Sequence, residues 1–473
     1  MGALAKSMEA HLYGGQEISN ATSDLQYNLQ IITDVGIAAG SIKVEVLNVT
    51  RDYANGFTDE ILVSFKMDKT AFYSYIWHYR TNLNVDLTVF DGTTSEQLST
   101  TRYLMFIMSP TDVESNPEFN TKTDKAGLGN DFVDVQAQLV YQFDAIAKSC
   151  RVTDNYTTAT MSDVILSEFE DAFSNIKLSS GEPAYSINLI PPDNQTLYTN
   201  ILLSPGKDTK ILKLTEFPEY LQNHPAYGVY NSDIGVYIQH NYATKKTGQN
   251  DRADLFVYPI YRPNVDPSSG DYPYCIVYSS NTTLPRVGDP SLGYRIDDKH
   301  NVYIFPASPV RVNDDGGNST RDNPSGFLYL DPSILLARTG QIGEDNTKLV
   351  VQNGLKSTFN IRESYDDINN EVSVGLCSNQ CLLNAKGILP SIAIYEVDVF
   401  NVTFEHIYPG MPAIIHYEIG RGEDTRTIYG TVVMTTYTIF AHNHSLTGKI
   451  LIAGGRLNYY NKTKKEKEAE QSE

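Results

Sequence analysis

The sequence predicts a mainly β protein with some α-helix, in which two β-barrels flank inserted α+β domains. Three observations predict this fold class. The 473-residue chain contains 32 Tyr, 32 Gly and 21 Pro, a mixture that suits strands joined by many turns. Segments near both ends alternate apolar and polar residues, as half-buried strands do. These segments also resemble each other, which indicates an internal repeat.

The first predicted barrel covers residues 26–112 and follows an N-terminal arm at residues 1–25. A short helix is expected after Asp68, because Asp68 can cap it and Phe72 and Ile76 fall on one face. The predicted strands are Ile42–Val49, Ile61–Met67, Leu83–Phe90 and Arg102–Met108. We expect these strands and the helix to form a small barrel or sandwich.

Residues 113–200 are predicted to form a mixed α/β insertion. A strand is expected around Phe132–Phe143, where apolar residues recur at strand spacing. The clearest helix of the chain is expected over residues 159–177, with Thr160 or Ser162 as its N-cap. Its apolar residues recur at helical spacing, namely Val164, Ile165, Phe169 and Phe173.

The remaining boundaries follow from composition. Residues 201–385 are predicted as a β-rich middle domain with long loops, because short strands alternate with Pro- and Gly-rich stretches. Residues 386–458 are predicted as the second barrel. Residues 459–473 are almost all charged or polar, so a disordered tail is expected there.

An internal repeat connects the two predicted barrels. Val44–Thr50 matches Val397–Thr403 closely and preserves the alternation of apolar and polar residues. Further along, Leu62–Met67 parallels Ile414–Ile419 at nearly the same separation. Unrelated strands often use the same residue types, but two matches in the same order indicate a duplicated barrel.

A duplicated barrel has a consequence for assembly. Three chains around a threefold axis would place six near-equivalent barrels in a ring, which can join a sixfold tube to a threefold spike. The repeat strands are therefore the candidates for forming the ring. The residues concerned are Val44, Glu45, Val46 and Leu47 in the first copy and Val397, Asp398, Val399 and Phe400 in the second. Glu45 and Asp398 are expected to face a lumen or the solvent.

Charge limits the classes of function. The formal net charge is −20, so nucleic-acid binding through a basic face is not expected. An acidic surface can still line a channel through which DNA slides, and simple solubility is the alternative.

No stretch of about 18 apolar residues occurs, so no membrane span is expected. The first residues do not form a signal peptide. The four cysteines are too few for a disulfide scaffold, so free thiols are expected.

Potential metal and catalytic groups each have a plainer interpretation. His442 and His444 could lie on one face of a strand as metal ligands, but no third ligand is evident. Cys377 and Cys381 lack zinc-ribbon spacing. The oxygen-rich segment Asn313–Asp315 could bind calcium but lacks the EF-hand order, so a turn is favoured. No metal or other cofactor is expected.

No catalytic motif is present in the sequence: it contains no nucleophile elbow, zincin motif or phosphate loop. The acidic pairs Glu168 with Glu170 and Asp366 with Asp367 could form a glycosidase dyad, but adjacency does not set the spacing such a dyad needs. Trp77 with Tyr73, Tyr75 and Tyr79 could form a sugar-stacking platform, although barrel core or a subunit interface is favoured.

Several stretches carry a resemblance to a known family. They are Phe90–Gly92 with Arg102–Ile107, Gln195–Leu202 with Ala226–Asn231, Leu255–Tyr261, and Phe404–Pro412 with Tyr429–Val432. In pattern and order over most of residues 40–455, the chain resembles the baseplate hub proteins of contractile-tailed bacteriophages. These are related to the N-terminal hub part of type VI secretion spike proteins.

This resemblance implies a non-enzymatic structural protein of the virion tail baseplate, made in the cytoplasm of a bacterial host. In that family two tube-like β-barrels flank inserted domains. The implied partners are two further copies in a homotrimer, the tail tube protein, the central spike protein and baseplate wedge proteins. Genomic DNA would pass through an acidic lumen during ejection without specific binding. The alternatives are a receptor- or carbohydrate-binding virion protein and a tail-associated cell-wall lysin.

Overall fold

A computed structural model defines the fold of the chain at both ends and through much of its middle. The residues that it describes are 25–34, 36–91, 97–110, 132–152, 155–177, 181–203, 212–224, 226–240, 253–261, 273–279, 294–296, 300–306, 308–313, 327–330, 373–376, 379–388, 392–400, 407–419, 424–440 and 446–455.

The first part of the chain forms a closed, six-stranded antiparallel barrel. Its strands are β1 (Leu25–Thr33), β2 (Gly36–Asp52), β3 (Glu60–Asp68), β4 (Leu83–Asp91), β5 (Gln97–Pro110) and β6 (Phe132–Tyr141). They are hydrogen-bonded in the order β1-β4-β5-β6-β3-β2, and pairing of β1 with β2 closes the sheet. Closure pairs both edges of the sheet with each other, except along the second half of β2. The prediction of a mainly β fold containing a barrel is confirmed.

Two of the six strands differ from the sequence-based prediction. β1 was not predicted, although Tyr27, Leu29 and Ile31 alternate and are buried. β6 is predicted as a strand but is assigned to the insertion. In the structure β6 pairs with both β3 and β5. The predicted boundary at residue 112 therefore falls before the strand that completes the barrel, because pairing between distant strands leaves no local signal.

A short helical segment connects β3 to β4. It runs through α1 (Lys69–Ala71), a π-helical turn (Phe72–Ile76) and a 3₁₀ turn (Trp77–Tyr79). The Asp68 carboxylate accepts a hydrogen bond of 2.8 Å from the Ala71 N–H, which confirms the predicted cap. Phe72 and Ile76 are fully buried, as their spacing predicts. The segment therefore covers one end of the barrel core.

Among the described residues, the middle of the chain carries three helices and seven strands. The helices are α2 (Gln142–Ser149), α3 (Met161–Phe173) and α4 (Phe217–Asn223). The strands are β7 (Arg151–Val152), β8 (Asn155–Tyr156), β9 (Tyr185–Leu189), β10 (Ile201–Leu202), β11 (Leu212–Lys213), β12 (Ile234–His240) and β13 (Ala253–Pro259). β12, β13 and β9 form a three-stranded sheet. Thr160 caps α3 by reciprocal hydrogen bonds with Asp163, which confirms the predicted helix start.

The last part of the chain forms a second sheet. Its strands are β14 (Cys275–Ser279), β15 (Tyr294–Ile296), β16 (Val302–Ile304), β17 (Arg311–Asn313), β20 (Ile392–Phe400), β21 (Pro412–Ile419), β22 (Asp424–Phe440) and β23 (Leu446–Gly455). Between them lie the separate parallel pair β18 (Phe327–Leu330) and β19 (Ser373–Leu376), and helix α5 (Gln380–Ile388). The pairing order is β17-β20-β23-β22-β21-β14-β16-β15. This sheet is open among the residues that the structure describes.

The two sheets repeat one strand order. In the barrel the order is β2-β3-β6-β5-β4-β1, and in the second sheet it is β17-β20-β23-β22-β21-β14. Each step is antiparallel in both, except that β14 lies parallel to β21. The order along the chain also agrees, because β1, β2 and β3 correspond to β14, β17 and β20 respectively. The chain therefore contains a duplicated six-strand arrangement, of which the first copy is closed.

The repeat is present, but the strands correspond differently from the sequence match. Val44–Thr50 in β2 was matched with β20, and Leu62–Met67 in β3 was matched with β21. In the structure β2 pairs directly with β3, whereas β20 reaches β21 only through β23 and β22. The topological equivalents are β3 with β20 and β4 with β21. The match was wrong by one strand because any half-buried strand alternates in the same way.

The barrel and the second sheet form one continuous sheet of 14 strands. The connection is an antiparallel ladder between β2 and β22, from Val46↔Phe440 to Asp52↔Met434. Along the same edge, β2 pairs first with β1 and then with β22. Backbone hydrogen bonds therefore fix the position of one copy of the repeat relative to the other.

Close strand contact in the second sheet predicts the effect of a glycine substitution. A Cβ at Gly430 in β22 would lie 2.4 Å from the Ala453 carbonyl oxygen in β23. We expect Gly430→Ala to lower the free energy of unfolding by about 1–3 kcal/mol, because backbone cannot move aside easily. Gly455→Ala in β23 is the control, since its Cβ would meet nothing within 4 Å. Equal stability of the two variants in urea unfolding would contradict this packing.

Candidate functional site

A buried polar cluster lies where the barrel, the middle sheet and the second sheet meet. We call Arg51, Tyr53, Asp59, Tyr237 and Tyr258 the junction cluster. Arg51 is the next-to-last residue of β2, Tyr53 and Asp59 lie between β2 and β3, and Tyr237 and Tyr258 lie on β12 and β13. Arg51 and all three tyrosines are buried. The cluster therefore holds the barrel against the middle of the chain.

An ion pair stands at the centre of the junction cluster. The Arg51 Nε donates to Asp59 Oδ2 at 3.1 Å, and the Arg51 side chain is only 1% exposed. The Tyr237 hydroxyl donates to the other Asp59 oxygen at 2.7 Å. Burial alone lowers the pKa of Arg51, but Asp59 and the neighbouring tyrosines outweigh burial, so that the pKa lies well above its ordinary value. The guanidinium therefore stays charged and paired.

Hydrogen bonds to backbone carbonyls extend the cluster into the second sheet. The Tyr53 hydroxyl and the Gln239 side-chain amide both donate to the Ile407 carbonyl, at 3.3 and 3.0 Å. The Tyr258 hydroxyl donates to the Tyr53 carbonyl at 2.6 Å. Ile407 precedes β21, so these contacts connect three parts of the chain at one point. Their geometry depends on all three parts being folded.

Backbone contacts support the same junction. The Tyr53 N–H donates to the Val433 carbonyl in β22 at 2.9 Å, and the Ile238 N–H donates to the Phe57 carbonyl at 2.8 Å. Gly410 has a φ of +72°, and a Cβ there would lie 2.5 Å from the Tyr258 ring. The ring and the Gly410 backbone are therefore in close contact, which positions the turn before β21.

The chemistry available to the junction cluster is structural. Burial raises the pKa of Tyr53 to about 12, and it also raises the pKa of Tyr237 and of Tyr258 above the ordinary value. The three hydroxyls are therefore neutral donors at physiological pH and cannot serve as bases. The arrangement can orient domains, but it presents no activated nucleophile.

A cavity of about 650 Å³ lies beside the cluster, between the 54–60 loop, β6, α4 and β12. Its carboxylates include Asp144, whose Oδ2 accepts a charged hydrogen bond of 2.6 Å from Lys148 one helical turn away. Nowhere in the described part of the chain do three His, Cys, Asp or Glu residues come together in a way that could hold a metal ion. The cavity is a cleft with a largely polar lining, between the barrel and the middle of the chain.

The predicted ring-forming residues divide between core and surface. Val44, Leu47, Val397 and Val399 are buried in the core, and Val46 is half-buried. A bulge between Val44 and Val46 interrupts the predicted alternation in β2. Phe400 ends β20, but its side chain lies outside the described residues. The four buried valine and leucine side chains therefore shape their strands from within.

Both predicted acidic residues carry cationic partners. Glu45 lies on β2, and Lys66 on the neighbouring strand β3 has its Nζ 3.3 Å from Glu45 Oε1. Arg311 contacts Asp398 Oδ2 at 2.7 Å, and the Ser308 hydroxyl donates to the same oxygen at 2.8 Å. Neither acid therefore forms part of a bare acidic surface within one chain.

Only some of the other candidate metal and catalytic residues lie in the described part of the chain. Cys377, His442 and His444 lie outside the described residues, as do Asp314, Asp315, Asp366 and Asp367. Cys381 is buried, and burial raises the pKa of its thiol to about 11. Glu168 is buried and accepts a 2.9 Å hydrogen bond from the Tyr156 hydroxyl, whereas Glu170 is exposed. These two acids therefore do not converge as a dyad.

The predicted aromatic platform is largely packed against the barrel. Tyr73, Trp77 and Tyr79 are partly buried against the main core. The Arg80 guanidinium lies over the Trp77 ring at 4.7 Å, which is a cation–π contact within the chain. Tyr75 is 60% exposed. Three of the four aromatic side chains therefore pack against the barrel, as the favoured interpretation expects, and the fourth is exposed.

No local pattern in the sequence identifies the junction cluster. Arg51 follows an alternating strand and precedes polar turn residues, which is also how a solvent-exposed arginine looks. Asp59, Tyr237 and Tyr258 come from segments that meet Arg51 only in the folded chain. One signal was available. β2 continues to Asp52, and a strand of that length carries its last side chains beyond the barrel.

Solved structures of phage tail and type VI secretion proteins resemble this fold. A tail protein from Neisseria meningitidis MC58 aligns over 90% of this chain and 96% of its own, with 8% identity and a TM-score of 0.44. The prophage MuSo2 43 kDa tail protein from Shewanella oneidensis aligns over 91% and 96%, with 9% identity and a TM-score of 0.42. The E. coli c3393 protein, a type VI secretion component, aligns over 89% and 75%, with 8% identity and a TM-score of 0.41.

At these identities the likeness concerns the fold alone. No protein family model matches the chain, and the comparison with curated sequences found no match. Among the helices that the structure describes, none is long and apolar enough to cross a membrane.

The buried ion pair predicts a large effect of removing one partner. Arg51→Met leaves the Asp59 carboxylate buried beside Tyr237 without its cation, so the free energy of unfolding should fall by about 3–5 kcal/mol. Adding Asp59→Leu should recover part of that loss, because the unpaired charge is then removed. Equilibrium urea unfolding of the two single variants and the double variant measures the coupling.

The matched control is the ion pair between Arg102 and Asp86, whose Nε–Oδ1 distance is 2.7 Å and whose Arg102 side chain is 65% exposed. Arg102→Met should cost less than about 1 kcal/mol, because solvent screens this pair. A loss at Arg51→Met as small as the loss at Arg102→Met would refute a central role for the junction ion pair.

Tyr53 predicts a specific alkaline sensitivity. Because burial raises the pKa of Tyr53 to about 12, its neutral hydroxyl stabilises the fold fully below pH 10, and this contribution is lost as pH rises through 12. The stability advantage of the wild type over Tyr53→Phe should shrink by about 2–3 kcal/mol between pH 9 and pH 12. Tyr75→Phe, at an exposed position, is the control. A pH-independent difference for Tyr53→Phe, measured by urea unfolding, would disprove the assignment.

Proposed function

We propose that this protein is a structural baseplate hub of a contractile phage tail, a trimeric adaptor between the sixfold tail tube and the threefold central spike. The observation that carries the proposal is the duplicated six-strand order within one chain. A subunit with one such unit would match either symmetry but not both. A subunit with two similar units can present threefold symmetry on one face and approximate sixfold symmetry on the other.

The connection between the two units supports this role. The β2–β22 ladder and the junction cluster fix the two units relative to each other. A ring that mimics sixfold symmetry needs this rigidity, because each unit must meet the tube at a defined angle. In this proposal two tube-like units flank the middle domain, and the first unit extends to β6.

The surface chemistry supports a passive channel. The net charge of −20 disfavours adhesion of DNA phosphates, so genomic DNA could pass a lumen without specific binding. We assign no catalytic role, and we place the protein in the virion tail after synthesis in the bacterial cytoplasm. The tail tube, central spike and baseplate wedge proteins are its proposed partners.

The proposed ring-forming elements are β2 and β20, the strands that contain the predicted residues. Val44, Leu47, Val397 and Val399 contribute by holding these strands in shape from the core. Contacts between subunits would come from outward-facing groups on the same strands. The N-terminal arm at residues 1–25 and the charged tail at 459–473 remain part of the proposal as flanking segments.

The oligomeric state tests the proposed function. The purified chain should form a trimer by mass photometry, and averaged electron micrographs should show a ring with six lobes of similar size. Two similar units per chain and three chains predict this number directly. A chain that stays monomeric up to its solubility limit, or a ring with only three lobes, would exclude the adaptor role.

A further inference from the structure

Two rows of charged side chains lie on topologically equivalent strands of the two units. The first charge row comprises Glu45 on β2, Lys66 on β3 and Asp134 on β6. Lys66 Nζ lies 3.3 Å from Glu45 Oε1 and 3.8 Å from Asp134 Oδ1. The flanking residues Phe65 and Met67 are buried, so the row lies on the outer face of the barrel. Its sequence of signs is acid, base, acid.

The second charge row comprises Arg311 on β17, Glu396 and Asp398 on β20, and Lys449 on β23. Arg311 contacts Glu396 at 3.2 Å and Asp398 at 2.7 Å, and Lys449 Nζ lies 2.5 Å from Glu396 Oε1. Val397 is buried, so this row also faces outward. Its sequence of signs is base, acid, base.

The two rows occupy matching positions with opposite signs. β2, β3 and β6 correspond to β17, β20 and β23 in the repeated strand order. Lys66 lies directly across from Asp134, and Asp398 lies directly across from Lys449. Each position that is acidic in one unit is therefore basic in the other.

These rows contribute little to the stability of a single chain. The Lys66, Arg311 and Lys449 side chains are 52%, 58% and 52% exposed. Ion pairs with such exposure are worth about 0–1 kcal/mol, because water screens them. Their greater effect arises when a second surface covers them, since charge patterns then decide which partner is accepted.

On the basis of the proposed function, we propose that the two charge rows are the complementary contact surfaces between neighbouring copies of this chain. The first row of one copy faces the second row of the next. Two first rows would bring acid against acid and base against base, and the same holds for two second rows. The pattern thus rejects a twofold dimer and selects a head-to-tail contact, which closes into a ring.

The surface beside the first charge row fits this partner. A cavity of about 400 Å³ is lined by two acids, Glu45 and Asp68, by two bases, Lys43 and Lys66, and by Phe132, among others. Phe132 is 60% exposed and offers an apolar contact at the margin of the charged groups. A long basic side chain such as Arg311 or Lys449 of the neighbouring copy can enter this cavity and approach Glu45.

Reversal of all charges in one row tests the inference while keeping the ion pairs within the chain. The first-row variant combines Glu45→Lys, Lys66→Glu and Asp134→Lys. The second-row variant combines Arg311→Glu, Glu396→Lys, Asp398→Lys and Lys449→Glu. Each variant alone should raise the dissociation constant of the ring about tenfold or more, because like charges then face each other. Combining both sets should restore the wild-type constant.

The control exchanges the ion pair between β4 and β5, Asp86→Arg with Arg102→Asp, and should leave assembly unchanged. Mass photometry gives the ring population, and thermal unfolding confirms that each variant is folded. A variant that is not folded is replaced by Lys66→Gln or Lys449→Gln, which should weaken assembly less but in the same direction.

The possible outcomes separate the two proposals. A wild-type ring whose stability is unaffected by reversal of either row would overturn the assignment of the contact surface and leave the hub function standing. Loss of assembly in both single-row variants without recovery in the combined variant would also overturn it. A wild-type chain that forms no ring would reject the hub function together with this surface.

Discussion

The pairing of β2 with β22 is the constraint on which the rest of the structure depends. Each of these strands keeps one neighbour along one edge and changes neighbours along the other edge. β2 passes from β1 to β22, and β22 passes from β21 to β2. Neither unit can turn against the other without breaking this ladder of backbone hydrogen bonds. The relation between the two copies of the repeat is therefore set by the main chain.

The side chains at the end of this ladder add specificity to it. A buried guanidinium is costly to desolvate, and Arg51 offsets that cost only with Asp59 in place and Tyr237 satisfying the second carboxylate oxygen. An apolar cluster of similar size could be as stable, but it would tolerate more than one arrangement. The Tyr53 and Tyr258 hydroxyls favour one arrangement, since each donates to a backbone carbonyl whose position the fold sets.

The sequence predicted the local elements well and their pairing less well. Alternation identified β3 and β4, and Asp68 and Thr160 identified helix starts, because these signals lie within a few residues. The assignment of β6 to the insertion and the shifted repeat have a common cause. Which strands become neighbours depends on closure of the sheet, and closure brings together segments far apart in the chain. Alternation alone cannot distinguish β3 from β2 as the equivalent of β20.

The junction cluster lay beyond prediction for a related reason. Its charged members look like surface residues in the sequence, and only the convergence of β2, β12 and β13 makes them interior. The outward-facing ion pairs could be predicted in part from the sequence. Glu45 and Asp398 were correctly placed on strands, but their partners Lys66 and Arg311 could be assigned only from strand order.

The long separation between β2 and β22 also has a consequence for synthesis of the chain on the ribosome. The barrel can close as soon as β6 has been translated, because its six strands all lie before residue 142. The second half of β2 then has an unsatisfied edge until residues 434–440 emerge much later. During that interval the nascent chain exposes backbone that another nascent chain could pair with. Productive folding therefore depends on how long this edge stays uncovered.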